Sequence, residues 1–290
     1  MIRPDESAVM EKSTAATITP PAPKPKVVAP IGREVLVGEL CPKGAEGRPA
    51  IAPVALKTLS WTASNIDTTN AIERGSVPRF TAFGTDGKVA GLFDTMGLAD
   101  LGPSAPSVVS VASGTYVGGS PCSSDGGAGQ NRVADGACEA ETHGCGLAVA
   151  ALTRQDDTPV TPTYATGGAC IWEKSLAVDI DGDGKLELFP LSGVLDGIHS
   201  PAQEWSAEPP DKAAGCAPKF ALYGVPLSPE QDPKATVKLD VLGVVDLDGD
   251  GRRELVLALT FPAARSIVIY TAGETSTRLT LAGESPGFPR

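Results

Sequence analysis

Two short segments hold the densest chemistry in the chain. Asp179-Ile-Asp-Gly-Asp-Gly-Lys-Leu-Glu187 and Asp246-Leu-Asp-Gly-Asp-Gly-Arg-Arg-Glu254 each place four carboxylates within nine residues. Carboxylates this close repel one another unless a cation lies between them. In the first segment Asp179, Asp181 and Asp183 alternate with Ile180 and Gly182, and Gly182 and Gly184 let the backbone turn around a central ion. Lys185 has a cationic side chain, so its contribution is expected through its backbone carbonyl. Glu187 adds an oxygen from the start of the next strand. The second segment repeats the set with Asp246, Asp248, Asp250, the Arg252 carbonyl and Glu254. Every one of these ligands is a hard oxygen, which suits calcium with its roughly 6–8 oxygens at about 2.3–2.6 Å. Magnesium demands a stricter octahedron, and neither segment offers sulfur or imidazole to favour zinc. Two calcium ions are therefore the expected cofactors. The bland alternative is a pair of acidic, Gly-rich turns without metal, and two matching copies weigh against it.

The loops are not EF-hands, whose twelfth position is a bidentate Glu. Counting from Asp179 reaches Pro190, and counting from Asp246 reaches Leu257. Their flanks read as strands: Val178 and Val245 before, Leu188-Phe189 and Leu255-Val256-Leu257 after. Other constellations are weaker. Cys122, Cys138, His143 and Cys145 could form a Cys/His zinc site, but the spacing is irregular and a disulfide-stapled loop is the simpler reading. Asp125, Asn131 and Asp135 in the same stretch are a further cation candidate. His143 and His199 could act as general bases. They lack the nucleophile-elbow or zinc-protease motif that would make such a role specific. Trp61, Trp172 and Trp205 could stack on sugars or pack in the interior. No P-loop or dinucleotide fingerprint occurs.

The elements that would hold the loops are short apolar runs separated by turn residues. They include Val35–Val37, Val54–Trp61, Arg79–Phe83, Val108–Val111, Leu147–Leu152, Leu186–Leu191, Val237–Val245, Glu254–Thr260, Ile267–Tyr270 and Arg278–Leu281. Most have strand length, and Leu147–Leu152 is ambiguous because it is rich in Ala. Phe80–Phe83, a Gly-Thr-Asp-Gly turn and Val89–Phe93 read as a hairpin. Leu176–Phe189 aligns without gaps onto Gly243–Val256 at an offset of 67 residues. Such a period points to a propeller-like array of sheets more than to a solenoid. A degenerate copy at Ala82–Leu92 keeps Asp86, Gly87 and Lys88 but lacks the other carboxylates.

The stretches Asp179–Leu188 and Asp246–Leu255 resemble the FG-GAP and VCBS repeats, the calcium-loop blades of integrin-α propellers and of many bacterial surface proteins. The resemblance implies an all-β, propeller-like array. It places each loop between the first two strands of a blade, with calcium stiffening it. Residues 33–290 give about four periods of 67, fewer than such propellers usually have.

Composition bounds the function. Residues 1–32 are expected to be a Pro-rich tether, with Pro20, Pro21, Pro23 and Pro25 close together, and residues 33–290 the folded domain. The net charge of −11 argues against nucleic acid or an anionic membrane as partner. Eight carboxylates lie in the two loops, so bound calcium would make the protein less acidic. Six cysteines with no Cys-x-x-Cys pair point to disulfides and an oxidising compartment. No apolar stretch reaches the roughly 18 residues of a transmembrane helix. Residues Met1–Pro20 show no signal-peptide core, so an export signal is expected to have been removed, replaced or missed at the start codon. The expected function is an extracytoplasmic, non-catalytic binding or adhesion module with a protein or glycan partner at the cell surface. The alternatives are a structural subunit of a larger extracellular assembly and a polysaccharide lyase or hydrolase on the same fold.

Overall fold

The computed structural model describes residues 34–45, 48–63, 79–83, 89–99, 111–118, 146–151, 164–197, 200–208, 216–217, 219, 222, 224–228, 236–262 and 264–286. These residues form strands and one short 3-10 turn, Leu191–Val194, with no α-helix among them. The strands are β1 (Val35–Ala45), β2 (Arg48–Lys57), β3 (Trp61–Ala63), β4 (Arg79–Phe83), β5 (Val89–Ala99), β6 (Val111–Gly118), β7 (Gly146–Ala151) and β8 (Ala169–Trp172). They continue with β9 (Ser175–Val178), β10 (Glu187–Pro190), β11 (Glu204–Ser206), β12 (Val225–Leu227), β13 (Val237–Val245), β14 (Glu254–Thr260), β15 (Arg265–Ala272) and β16 (Arg278–Pro286). Among the described residues no helix is long and apolar enough to cross a membrane.

Three sheets result. The first has seven strands in the order β1-β7-β4-β5-β6-β2-β3. Because β1 pairs with β2 as well as β7, this sheet curls back on itself as a half-barrel. The second has three strands, β10-β9-β8, and the third six, β11-β16-β15-β14-β13-β12. Within the third sheet β13 to β16 form a simple antiparallel meander. The expected hairpin is β4–β5, with Phe80 opposite Phe93. The ambiguous Ala-rich run is a strand, β7, paired on both sides.

The six-stranded sheet lies between the other two, and the alternation of its strands shows how. Every residue of β14 is buried. Leu255, Leu257 and Leu259 pack with Leu176, Val178 and Phe189 of the three-stranded sheet. Val256 and Ala258 point the other way, onto Val35, Val37, Val54 and Val149 of the curled sheet. A strand covered on both faces needs apolar residues at successive positions, which is why Glu254–Thr260 reads as one continuous run. Leu36 and Leu40 of β1 face the inside of the curl with Phe80 and Phe93. At Gly243 the central sheet approaches the curled one so closely that a Cβ there would lie 2.8 Å from Leu147 Cδ2. A buried ion pair between Glu39 and Arg265 joins the same two layers. The disulfide Cys170–Cys216 ties β8 to the chain 46 residues further on, as an oxidising compartment would allow. The side chains of Cys41, Cys122, Cys138 and Cys145 lie outside the described residues.

Candidate metal centre

Both acidic segments close hairpins. Val178 is paired with Glu187 at the end of β9–β10, and Val245 with Glu254 at the end of β13–β14. Each pair brackets an eight-residue loop. The two loops have the same internal hydrogen bonds. The amides of Gly182 and Gly184 donate to Asp179 Oδ1 and Oδ2, at 2.7 and 3.2 Å, and those of Gly249 and Gly251 donate to Asp246 at 2.7 and 3.1 Å. The Asp183 amide donates to Asp181 and the Asp250 amide to Asp248, each at 3.1 Å. The Lys185 and Arg252 amides complete the turns on Asp183 and Asp250, each at 2.7 Å. Four glycines make this possible. Gly182, Gly184, Gly249 and Gly251 have φ of 73°, 85°, 78° and 90°, a region that L side chains rarely adopt.

Two features hold each loop to the body of the protein. The apolar residue between the first two aspartates, Ile180 or Leu247, is fully buried in a core cluster. Its amide donates to the carboxylate at the loop's end, Glu187 or Glu254, at 2.8 Å in both cases. The glutamates thus brace the loop backbone as well as adding charge. Sequence reasoning assigned no role to Ile180 or Leu247, although an apolar residue at the same place in both acidic repeats was a readable signal.

The carboxylates converge differently in the two loops. Oxygens of Asp179, Asp181 and Asp183 lie within 4.8 Å of one another in the first, on a mostly exposed surface. In the second the converging set is Asp246, Asp248 and Glu254, all buried. Glu187 and Asp250 are not in these groups, and Glu187 also accepts a hydrogen bond from the Ser276 side chain. Burial raises the Glu254 carboxyl well above the ordinary range, and the charge of Asp248 adds to the effect. Burial likewise pushes up Asp246 and Glu187. A carboxylate whose charged form is disfavoured this way gains most from a cation.

Protein cations partly answer that need. Lys57, from the curled sheet, places Nζ 3.0 Å from Asp248 Oδ2 and 5.5 Å from the centre of the Trp61 ring. Lys185 Nζ lies 2.8 Å from Asp183 Oδ2. Arg253 reaches out of the second loop into the first, with Nη1 2.7 Å from the Asp179 carbonyl and 3.0 Å from its Oδ2. The Arg252 guanidinium instead donates to the Gly273 and Glu274 carbonyls in the β15–β16 turn. Lys57 and Arg253 come from outside the loops they touch, so no local pattern could reveal them. Among the described residues one ammonium faces three buried carboxylates, which leaves the second group with charge to spare, and its all-oxygen donor set fits a hard divalent cation.

The remaining candidates resolve unevenly. Trp205 is 1% exposed, donates Nε1–H to the Pro190 carbonyl, and packs between Phe189 and Tyr270, so it is a core residue and not a sugar platform. Trp61 and Trp172 are half-buried. His143, His199, Cys122, Cys138, Cys145, Asp125, Asn131, Asp135 and the degenerate loop at Asp86–Lys88 lie outside the described residues. An open cleft of about 760 Å³ runs past Lys174, Leu191, Asp196 and Val225, away from both loops. No protein-family model, no curated protein and no solved structure matches the chain.

Proposed function

We propose that this chain is an extracytoplasmic binding or adhesion module, without catalytic turnover, whose two hairpin loops each bind one calcium ion. The observation that carries the reading is the identity of the loops. Two segments 67 residues apart fold into the same hydrogen-bonded turn, each with converging carboxylates and two left-handed glycines. Asp179, Asp181, Asp183, the Lys185 carbonyl and Glu187 hold one ion. Asp246, Asp248, Asp250, the Arg252 carbonyl and Glu254 hold the other.

An FG-GAP or VCBS-like origin is part of the proposal. The stacking of the β8–β10 sheet on the β13–β16 meander supports it, because adjacent propeller blades pack face to face in this way. The curled first sheet has a different strand order, so the blade assignment covers only the two later sheets. The disulfide supports a location outside the cytoplasm. What supports a reading without turnover is how the loop carboxylates are used. They accept backbone amides and pair with cations, which leaves no free acid–base couple in either loop. Calcium enclosed by several protein oxygens offers few open positions for Lewis-acid chemistry.

Calorimetric titration with calcium tests the metal sites directly and should give two equivalents per chain. At about 2 mM calcium and a dissociation constant of about 0.1 mM, a site that is released only on global unfolding stabilises the fold by about 1.8 kcal/mol. Superimposable melts in calcium and in chelator would sink the metal reading. Association with a surface protein or glycan that is lost in chelator supports the module. Turnover in a lyase and hydrolase screen, abolished by one His or Asp substitution outside the loops, would replace it with an enzyme.

A further inference from the structure

Arg253 is the residue that joins the two loops. It sits one position before Glu254, whose carboxylate braces the second loop through the Leu247 amide. Its backbone amide donates to the Ile180 carbonyl at 2.8 Å. Its guanidinium donates to the Asp179 carbonyl and pairs with the Asp179 carboxylate. The stem passes over Gly167, where a Cβ would lie 3.0 Å from Arg253 Cδ, so a side chain there would press on the arginine. Arg253 is 15% exposed at its side chain, so this contact is shielded from water. Both ends of the contact are loop ligands or their neighbours: Glu254 on one side, Asp179 and Ile180 on the other.

The sign of the coupling follows from what each loop must lose on binding. A loop that orders around calcium gives up backbone freedom, and about 1–2 kcal/mol is lost per residue fixed. Filling the second loop fixes Glu254 and with it Arg253. Arg253 then holds the Asp179 and Ile180 carbonyls in place before the first ion arrives. Ion–ion repulsion opposes this, but the first loop is largely exposed and the repulsion is screened there. Asp179 stays able to bind metal. A carboxylate has about four lone-pair sites, and the Gly182, Gly184 and Arg253 donors use three of them.

We propose that Arg253 is a positioning residue that couples the two loops, so that calcium in the second raises the calcium affinity of the first. The proposal rests on the calcium reading above. By linkage the effect is reciprocal, and coupling of this kind is typically about 5–150-fold. The test is a double-mutant cycle read by calcium titration of the full chain. Asp246→Asn disables the second loop, and the affinity of the first is then compared with and without Arg253→Gln. In the native background Asp246→Asn is expected to weaken the first loop at least about fivefold. In the Arg253→Gln background it should weaken it less than about twofold, and Arg253→Lys should restore part of the difference. Amide exchange at Ile180 and Gly182 in metal-stripped protein supplies a second readout and should speed up in Arg253→Gln. Two equal and independent sites in the native chain would overturn the coupling and leave the calcium reading standing. No calcium binding at all would overturn both.

Discussion

Glu254 enters the second loop from the first residue of β14, and its burial beside Asp248 is the strongest electrostatic demand in the site. The demand has a sign that can be measured. A carboxyl raised above its unfolded value stabilises the fold below the unfolded pKa, about 4.3 for Glu. That contribution is lost as pH rises through the higher folded value. Metal-stripped protein should therefore lose the Glu254 and Glu187 contributions as pH rises above about 4.3, and the Asp246 contribution as it rises above about 3.9. Calcium reverses the trend, because its ligands must be deprotonated and it competes with protons for them. The gap in melting temperature between calcium-loaded and metal-stripped protein should widen from about pH 5 to about pH 7. A gap of equal size at both would mean that these carboxyls do not hold the ion. At this scale the ligands were readable because they lie within nine residues and recur. Lys57 and Arg253 were not, because each touches its aspartate only after distant segments have been brought together by the packing of sheets.

Hairpins and strands form the next scale. β13 and β14 have the bounds that the sequence predicts, because both are long and mostly buried and apolar. β8, β11 and β12 are three or four residues each, too short for alternation to register. The predicted run Val54–Trp61 is two strands, with a turn at Thr58–Ser60. Short elements need support from outside. The Cys170–Cys216 bridge provides it to β8, an edge strand of the three-stranded sheet. Closing a loop with a separation of 46 residues stabilises by about 4 kcal/mol in the chain-entropy model. The double substitution Cys170→Ala with Cys216→Ala should lower stability to denaturant by about 2–4 kcal/mol. Peptide mapping without reduction should recover the two cysteines linked. A map pairing Cys170 with Cys41 would refute the bridge, which is common to three of the fifteen pairings that six cysteines allow.

Across the whole molecule, the two loops are equivalent in sequence but not in position. The second closes a hairpin of the central sheet, whose β14 is covered on both faces. The first closes a hairpin of the outer three-stranded sheet, and Asp181 and Asp183 face solvent. The repeat in the sequence announced two copies of one loop. It could not announce this difference, which depends on which sheet has neighbours on both sides. Stability follows position, because outer elements can open locally without the core unfolding. Calcium in the first loop then protects mainly β8 to β10, whereas calcium in the second is released only when the central sheet comes apart. The buried set Asp246, Asp248 and Glu254 should also bind more tightly, being less screened by water. Asp181→Ala and Asp248→Ala are each expected to remove one calcium equivalent, measured by metal analysis. In calcium, Asp248→Ala should lower the melting temperature by about 4–7 °C, the equivalent of roughly 1.8 kcal/mol for a domain of this size. Asp181→Ala should lower it by less than half as much, while speeding amide exchange in β9 and β10 more than in β14. Equal losses of melting temperature from the two substitutions, with exchange raised uniformly, would mean that the three sheets unfold as one unit.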